Sequence, residues 1–280
     1  ARRGAVPEKE VLSLPDGAPI QAVSNPMAAY VGRVIGNFRI EQIFGSGGMG
    51  TVFLARHVKI GTPAIVKVLS PELARDESAK RRFENEARLA STIQHPHIVR
   101  IYDLGEMPSA RAGAAPGETD LYMVMEFVEG EDCEATLERE KRLDPLRAAR
   151  ILRQVASALD AAHTSKGGPV VHRDLKPGNI RLTRRGREEH AVVLDFGIAK
   201  AIESSAAADS RLTMPGMIVG TPRYISPEQA RGDPIDGRTD IYSLGVVGYE
   251  MLAGQPSRRH RRSSFSRSTS SSPRRPFPRT

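Results

Sequence analysis

A single cysteine, Cys133, stands in 280 residues, so no internal disulfide framework holds this chain together, and such usage fits a reducing compartment. The sequence has no apolar run of about 18 residues, the length needed to span a membrane. Its N-terminus, A-R-R-G-A-V-P-E-K-E, lacks the apolar stretch of a secretory signal. These absences make a cytoplasmic protein with no membrane partner the expectation. Acidic residues are missing from Ser257 to Thr280, where eight arginines stand with no Asp or Glu. The net charge of +8 therefore belongs to that tail, because the first 256 residues hold 33 basic against 33 acidic side chains. A balanced body gives no electrostatic reason for the folded part to bind nucleic acid.

What is present is ordinary for a globular protein, with 39% hydrophobic and 26% charged residues. The length allows one large domain or a two-lobed unit. Residues 1–30, rich in Pro, Ala and Gly without periodicity, read as a flexible leader. Strand-like runs follow at Phe38–Ile43, Thr51–Arg56, Ala64–Leu69, Ile98–Leu104 and Leu121–Val128, with Met107–Asp120 as a loop. A helix over about 71–93, with Phe83, Ala87 and Ala90 on one face, interrupts them. After Gly130 the pattern turns helical. Ile151, Val155, Leu159 and Ala162 recur at helical spacing behind Pro145, a favourable helix start. A further helix over about 237–253 carries Ile241, Leu244, Val247 and Leu252 and stops at Gly254 and Pro256. The expected class is α+β, with a small, mainly antiparallel β lobe and one helix over 31–129. A helical lobe over 130–256 and a disordered Arg/Ser/Pro-rich tail over 257–280 follow.

Four segments carry chemistry. G-S-G-G-M-G-T-V, Gly45 to Val52, lies at a turn between strands. Its glycines would let backbone N–H groups approach phosphates, or simply form a glycine-rich hairpin; the following strand argues against a Rossmann turn. A-I-V-K-V-L puts Lys67 in an apolar strand, where it needs an anion or an edge position. Glu86, on the helical segment F-E-N-E-A-R-L-A, is a candidate partner. V-V-H-R-D-L-K-P-G-N-I-R-L then places Asp174, Lys176 and Asn179 close together, and V-V-L-D-F-G follows with Asp195 at a strand end. An aspartate there, with glycine close behind, suits Mg²⁺ ligation at a turn.

In this order the segments resemble the signature set of protein kinases, and the G-G-M-G loop and G-T-P-R-Y-I-S-P-E-Q-A-R-G are similar to bacterial Hanks-type serine/threonine kinases. The resemblance covers about residues 31–256. It implies a two-lobed fold and phosphorylation of Ser/Thr hydroxyls on proteins, the chain itself included, with ATP and Mg²⁺. Asp174 would accept the hydroxyl proton and Lys176 neutralise the transferred phosphoryl. Asn179 and Asp195 would hold Mg²⁺. Lys67, paired with Glu86, would grip the α- and β-phosphates. The glycine-rich segment (Phe44, Gly45, Ser46, Gly47, Gly48, Met49, Gly50, Thr51 and Val52) would cover ATP, while Glu126 and Val128 of the hinge M-E-F-V bind adenine and Met125 lines the back. Thr213 matches an activation-loop phosphosite, with an unmodified loop threonine as the alternative, and Arg173 is its expected partner. Thr221 belongs to the substrate loop, and D-I-Y-S-L-G to a helix bracing the catalytic loop. Cys133 has no assigned role.

Two departures stand out. Ile65 occupies the position, two before the lysine, where the family usually carries Ala, and would crowd the adenine slot. After Pro256 the resemblance ends, and the α lobe is expected to lack its last helices, as in a frameshifted or truncated gene. The uncovered helix at 237–253 would then expose several apolar side chains, and Glu228 would be a buried carboxylate without its arginine, costing about 3–5 kcal/mol. The alternatives to an active enzyme are an inactive pseudokinase-like scaffold and an RNA binder acting through the tail.

Overall fold

In the computed structural model, residues 26–47, 50–70, 77–111, 113–196 and 223–255 are described. Pro26–Tyr30, at the end of the expected leader, forms a 3-10 helix that buries Met27 and Tyr30 against Phe53 and Val124. Strands β1 (Val34–Ile35), β2 (Phe38–Gly47), β3 (Gly50–His57), β4 (Pro63–Leu69), β5 (Ile101–Pro108) and β6 (Thr119–Glu126) form one antiparallel sheet. Its order is β1-β2-β3-β4-β6-β5. Helix α1 (Glu77–Ser91) packs on it through Phe83 and Ala87, which meet Leu69, Val99, Leu121 and Met123. The i, i+4 spacing that marks this helix in the sequence is the spacing that aims both side chains at the sheet.

The strands extend further than the loop expected at Met107–Asp120, because a polar cluster ties its base shut. Asp120 is fully buried; it accepts from the Tyr30 hydroxyl and, at 3.0 Å, from Arg111 Nε, while Arg111 Nη2 reaches Glu118 at 2.6 Å. The run Ile98–Leu104 is split instead of forming one strand. Ile98 bridges Val193 in parallel, Val99 N–H donates to the Val193 carbonyl at 3.0 Å, and β5 begins at Ile101. The same apolar stretch thus joins two sheets.

The second sheet, order β7-β8-β9, comprises β7 (Glu131–Asp132), β8 (Ile180–Arg185) and β9 (Glu188–Val193). It lies among α2 (Cys133–Glu140), α3 (Pro145–His163), α4 (Pro227–Arg231) and α5 (Gly237–Ala253). Asp132, Asp144, Ser226 and Asp236 cap the four helices with side-chain acceptors, each satisfying N–H groups that the first turn leaves free. Ile151, Val155, Leu159 and Ala162 of α3 are buried in one cluster with Val246, Val247 and Met251 of α5. Gly254 ends α5 in the left-handed region, φ 71°. A Cβ there would stand 2.4 Å from the Lys141 carbonyl oxygen, so a side chain is excluded on two counts. Three large apolar side chains of α5, Ile241, Tyr249 and Leu252, are exposed. Two lobes result, one built on the six-stranded sheet and one largely helical. No described helix is long and apolar enough to cross a membrane.

Candidate active site

A cleft opens where the two sheets face each other. It is lined from the large sheet by Phe44, Val52, Ile65, Lys67 and Met125, from the connection between lobes by Glu126, Phe127 and Val128, and from below by Arg181, Leu194 and Asp195. The cavity is narrow, about 110 Å³. Phe44, half exposed on β2, meets the Phe127 ring edge-on at 6.2 Å across its mouth.

The glycines along β2 and β3 divide by what surrounds them. A Cβ on Gly45 or Gly47 would meet nothing within 4 Å, which is open space a ligand can enter. Gly50 is different: at φ 143° its added Cβ would lie 2.0 Å from the Val68 carbonyl oxygen. Packing between β3 and β4 demands that glycine whatever the cleft holds. Ser46 pairs in register with Thr51 as the hairpin closes. Gly48 and Met49 lie outside the described residues.

Lys67 is 8% exposed, and its Nζ pairs with Asp195 Oδ2 at 3.0 Å. An ammonium on a buried strand requires such an anion. Glu86 sits on α1, but its side chain lies outside the described residues. Asp195 itself has φ 45°, and Arg173 has φ 64°. Non-glycine residues in this region carry strain of about 1–3 kcal/mol and persist only where their surroundings hold them.

For Arg173 the holding groups are visible. The fully buried Asp240 accepts from His172 N–H at 2.7 Å and Arg173 N–H at 2.9 Å, and it pairs with His163 at 2.7 Å. On the other side, Gln229 Nε2 donates to the Arg173 carbonyl at 2.8 Å. The turn so fixed presents Asp174, whose Oδ2 lies 3.0 Å from Lys176 Nζ. Asn179 Nδ2 donates to the Asp174 carbonyl at 2.8 Å and to its carboxylate at 3.3 Å. That loop is stitched to the cleft, because Leu194 N–H donates to the Asn179 carbonyl and His172 Nε2 lies 2.9 Å from the Leu194 carbonyl.

Asp174, Lys176 and Asn179 therefore share one rigid loop, joined through Leu194 to Asp195 and so to Lys67. Phe44, Val52, Lys67, Met125, Glu126, Val128 and Asp195 come together in the cleft. Thr213 and Thr221 lie outside the described residues. Sequence reasoning passed over Gln229 and Arg181. The first was detectable from the spacing Ser226-x-x-Gln229, a capping box that the structure forms. The second carries no local signal. Glu228 differs from expectation: it is only partly buried and accepts from the Thr239 hydroxyl at 2.7 Å, which helps hold its carboxyl below the usual range. Cys133 is fully buried, and burial pushes its thiol up to about 12, which favours the protonated thiol.

A cleft between an antiparallel sheet and a helical lobe, with a strand lysine above an Asp–Lys–Asn loop, defines the two-lobed protein-kinase fold. The chain belongs to the protein kinase domain family, which it matches over residues 38–273, and is of the bacterial Hanks serine/threonine type. The match runs past Pro256, where the resemblance was expected to end. Serine/threonine-protein kinase pkn3 of Myxococcus xanthus is 43% identical over 227 residues, 80% of this chain and 39% of that protein. PknA of Corynebacterium glutamicum is 44% identical over 219 residues, 78% of this chain and 43% of its own length. The crystal structure of the Mycobacterium tuberculosis PknI kinase domain superposes with a TM-score of 0.60 at 29% identity, covering 80% of this chain and 77% of that one. The chain spans about two fifths of the length of the two curated relatives, pkn3 and PknA.

Proposed function

We propose that this chain transfers the γ-phosphoryl group of ATP to Ser or Thr hydroxyls of proteins, itself included. The observation that supports this best is the Asp174–Lys176–Asn179 loop, clamped by Asp240 and Gln229 beside a cleft that ends at Lys67 and Asp195. Asp174 takes the proton of the acceptor hydroxyl while the oxygen of that hydroxyl bonds the γ-phosphorus and the bond from phosphorus to the departing ADP oxygen breaks. Lys176, already beside that carboxylate, neutralises charge on the phosphoryl in flight. Lys67 turns from Asp195 alone toward the α- and β-phosphates, and the open flanks of Gly45 and Gly47 let backbone approach them.

The donor set fits Mg²⁺. Asn179 spends its amide nitrogen on Asp174, which leaves its amide oxygen available, and Asp195 has a second carboxylate oxygen beyond the one facing Lys67. Two hard oxygen ligands are what this ion takes from a protein when phosphates supply the rest. When bound, the ion neutralises phosphate charge. We further assign Thr213 as the activating phosphosite, with Arg173 as its partner, and Thr221 to the loop that seats the acceptor.

Intact-mass analysis of the chain after incubation with Mg-ATP, beside Asp174→Asn, is the direct test. Added phosphate in the parent alone supports the proposal, and peptide mapping then examines Thr213. A soluble, folded parent that gains none would favour the scaffold reading instead.

A further inference from the structure

Three histidines meet where the segment between α1 and β5 lies against β9. His95 and His97 stand on that segment and His190 on β9. Ring centroids are 5.5 Å apart for His95 and His97, and 4.3 Å for His97 and His190. None of the three lines the cleft.

Their hydrogen bonds fix where the protons are. His97 Nδ1 faces the Ala191 carbonyl at 2.8 Å, and His190 Nε2 faces the Pro96 carbonyl at 2.9 Å. A carbonyl only accepts, so each of these nitrogens carries hydrogen and donates across the seam. The two bonds are reciprocal, each side giving one imidazole and one carbonyl. His95 Nδ1 accepts from the His97 backbone N–H at 3.2 Å, so that nitrogen is bare, and its Nε2 reaches Ser157 Oγ of α3 at 3.1 Å. Neutral rings satisfy the whole arrangement.

Protons disturb it at each ring. One on His95 Nδ1 removes the acceptor of the His97 N–H. Protons on both His97 and His190 set two cations face to face, with Arg185 of β8 adding like charge toward His97. Asp160 of α3 favours a proton on His95, but burial outweighs it, and burial holds both His95 and His97 below the usual histidine value.

The seam reaches the cleft through the backbone. Val193 N–H donates to the His97 carbonyl at 2.8 Å and Val99 N–H to the Val193 carbonyl at 3.0 Å, two residues before Asp195. Gln154 of α3 holds β9 on either side of His190, donating to the Glu189 carbonyl at 3.1 Å and accepting from Ala191 N–H at 2.7 Å. β9 is thereby tied to the helical lobe, and its hold on the other lobe is what acid can release.

We propose that His95, His97 and His190 form a proton-operated latch between the lobes: neutral rings close it, and protonation parts residues 95–99 from β9. The latch is independent of the nucleotide reading, since its opening is read without any ligand. The unfolded chain takes up these protons near pH 6.5, roughly the free histidine value. The folded latch takes them up at lower pH, so its contribution is complete above that value and is lost as pH falls through the lowered ones.

Hydrogen exchange read by mass spectrometry, corrected for intrinsic rates, tests this on the full chain at about pH 7.5 and about pH 5.5. Wild type is compared with His97→Asn combined with His190→Gln, where Asn keeps the Nδ1 donor and Gln the Nε2 donor without a titrating ring. In wild type, protection of peptides spanning 95–100 and 190–194 is expected to fall on the order of tenfold between the two conditions. The double variant is expected to lose most of that dependence, and residues 52–56 of β3 to keep their protection in both. Equal protection of the seam at both pH values in wild type overturns the proposal. An undiminished loss in the double variant does so too, because the titrating group then lies elsewhere. A loss shared equally by residues 52–56 also overturns it, as acid unfolding of the whole chain. Should the double variant not fold, His190→Gln alone carries the comparison, with a reduced loss expected and an undiminished one counting against the latch.

Discussion

Ile65 and Lys67 stand two apart on β4, so both aim at the cleft, and the bulk of one bears on what the other can bind. A branched side chain in a cavity of about 110 Å³ leaves little clearance for a purine. Overpacking costs about 1–3 kcal/mol where neighbours cannot give way. Ile65→Ala is therefore expected to lower the KM for ATP about five- to tenfold, the factor that the lower part of this range implies. Steady-state kinetics on both forms is the check, and an equal KM would show that the side chain swings clear. The same scale separates glycines that look alike in sequence. Gly50 answers to the Val68 backbone, whereas Gly45 and Gly47 face open space.

Among elements, α5 matters most to the site, although none of its residues lines the cleft. Its Asp240 is buried and accepts two backbone N–H groups from the turn before Asp174. Removing that carboxylate leaves both donors and His163 without their acceptor. Loss of one partner from a buried charged arrangement costs about 3–5 kcal/mol, and Asp240→Ala should destabilise the chain by that order in urea denaturation. Arg173 should also leave its φ of 64°, since strain of this kind lasts only while it is held. A loss below about 1 kcal/mol would mean that water replaces the carboxylate. The split of Ile98–Leu104 makes a related point, because one apolar run serves two sheets and so couples the lobes at a second place besides the connection at Glu126–Val128.

At the scale of the whole molecule, the site is a gap between two lobes, so whatever fills it from both sides stabilises the assembly. A ligand at about 100 times its Kd adds about 2.7 kcal/mol, and for domains of this size each kcal/mol raises Tm by about 2–4 °C. Saturating Mg-ADP is expected to raise Tm by several degrees in differential scanning fluorimetry. Lys67→Met should abolish most of that rise, and EDTA should remove the part that depends on the metal. A full shift in Lys67→Met would place the nucleotide elsewhere.

Much of this was open to reading along the chain. The β-then-α order and the helix at Gly237–Ala253 follow from periodicity, and the succession Lys67, Asp174, Asn179, Asp195 is picked out by its resemblance to the protein-kinase signature set; both signals are local and survive without coordinates. Partnership is not local. Lys67 meets Asp195 across 128 positions, and Asp240 reaches back 68 to His172. Arg181 finds the Val128 carbonyl only because β8 is folded beneath the connection between lobes. A hydrogen bond depends on a separation of about 3 Å in space, and no spacing in sequence encodes which distant group will supply it.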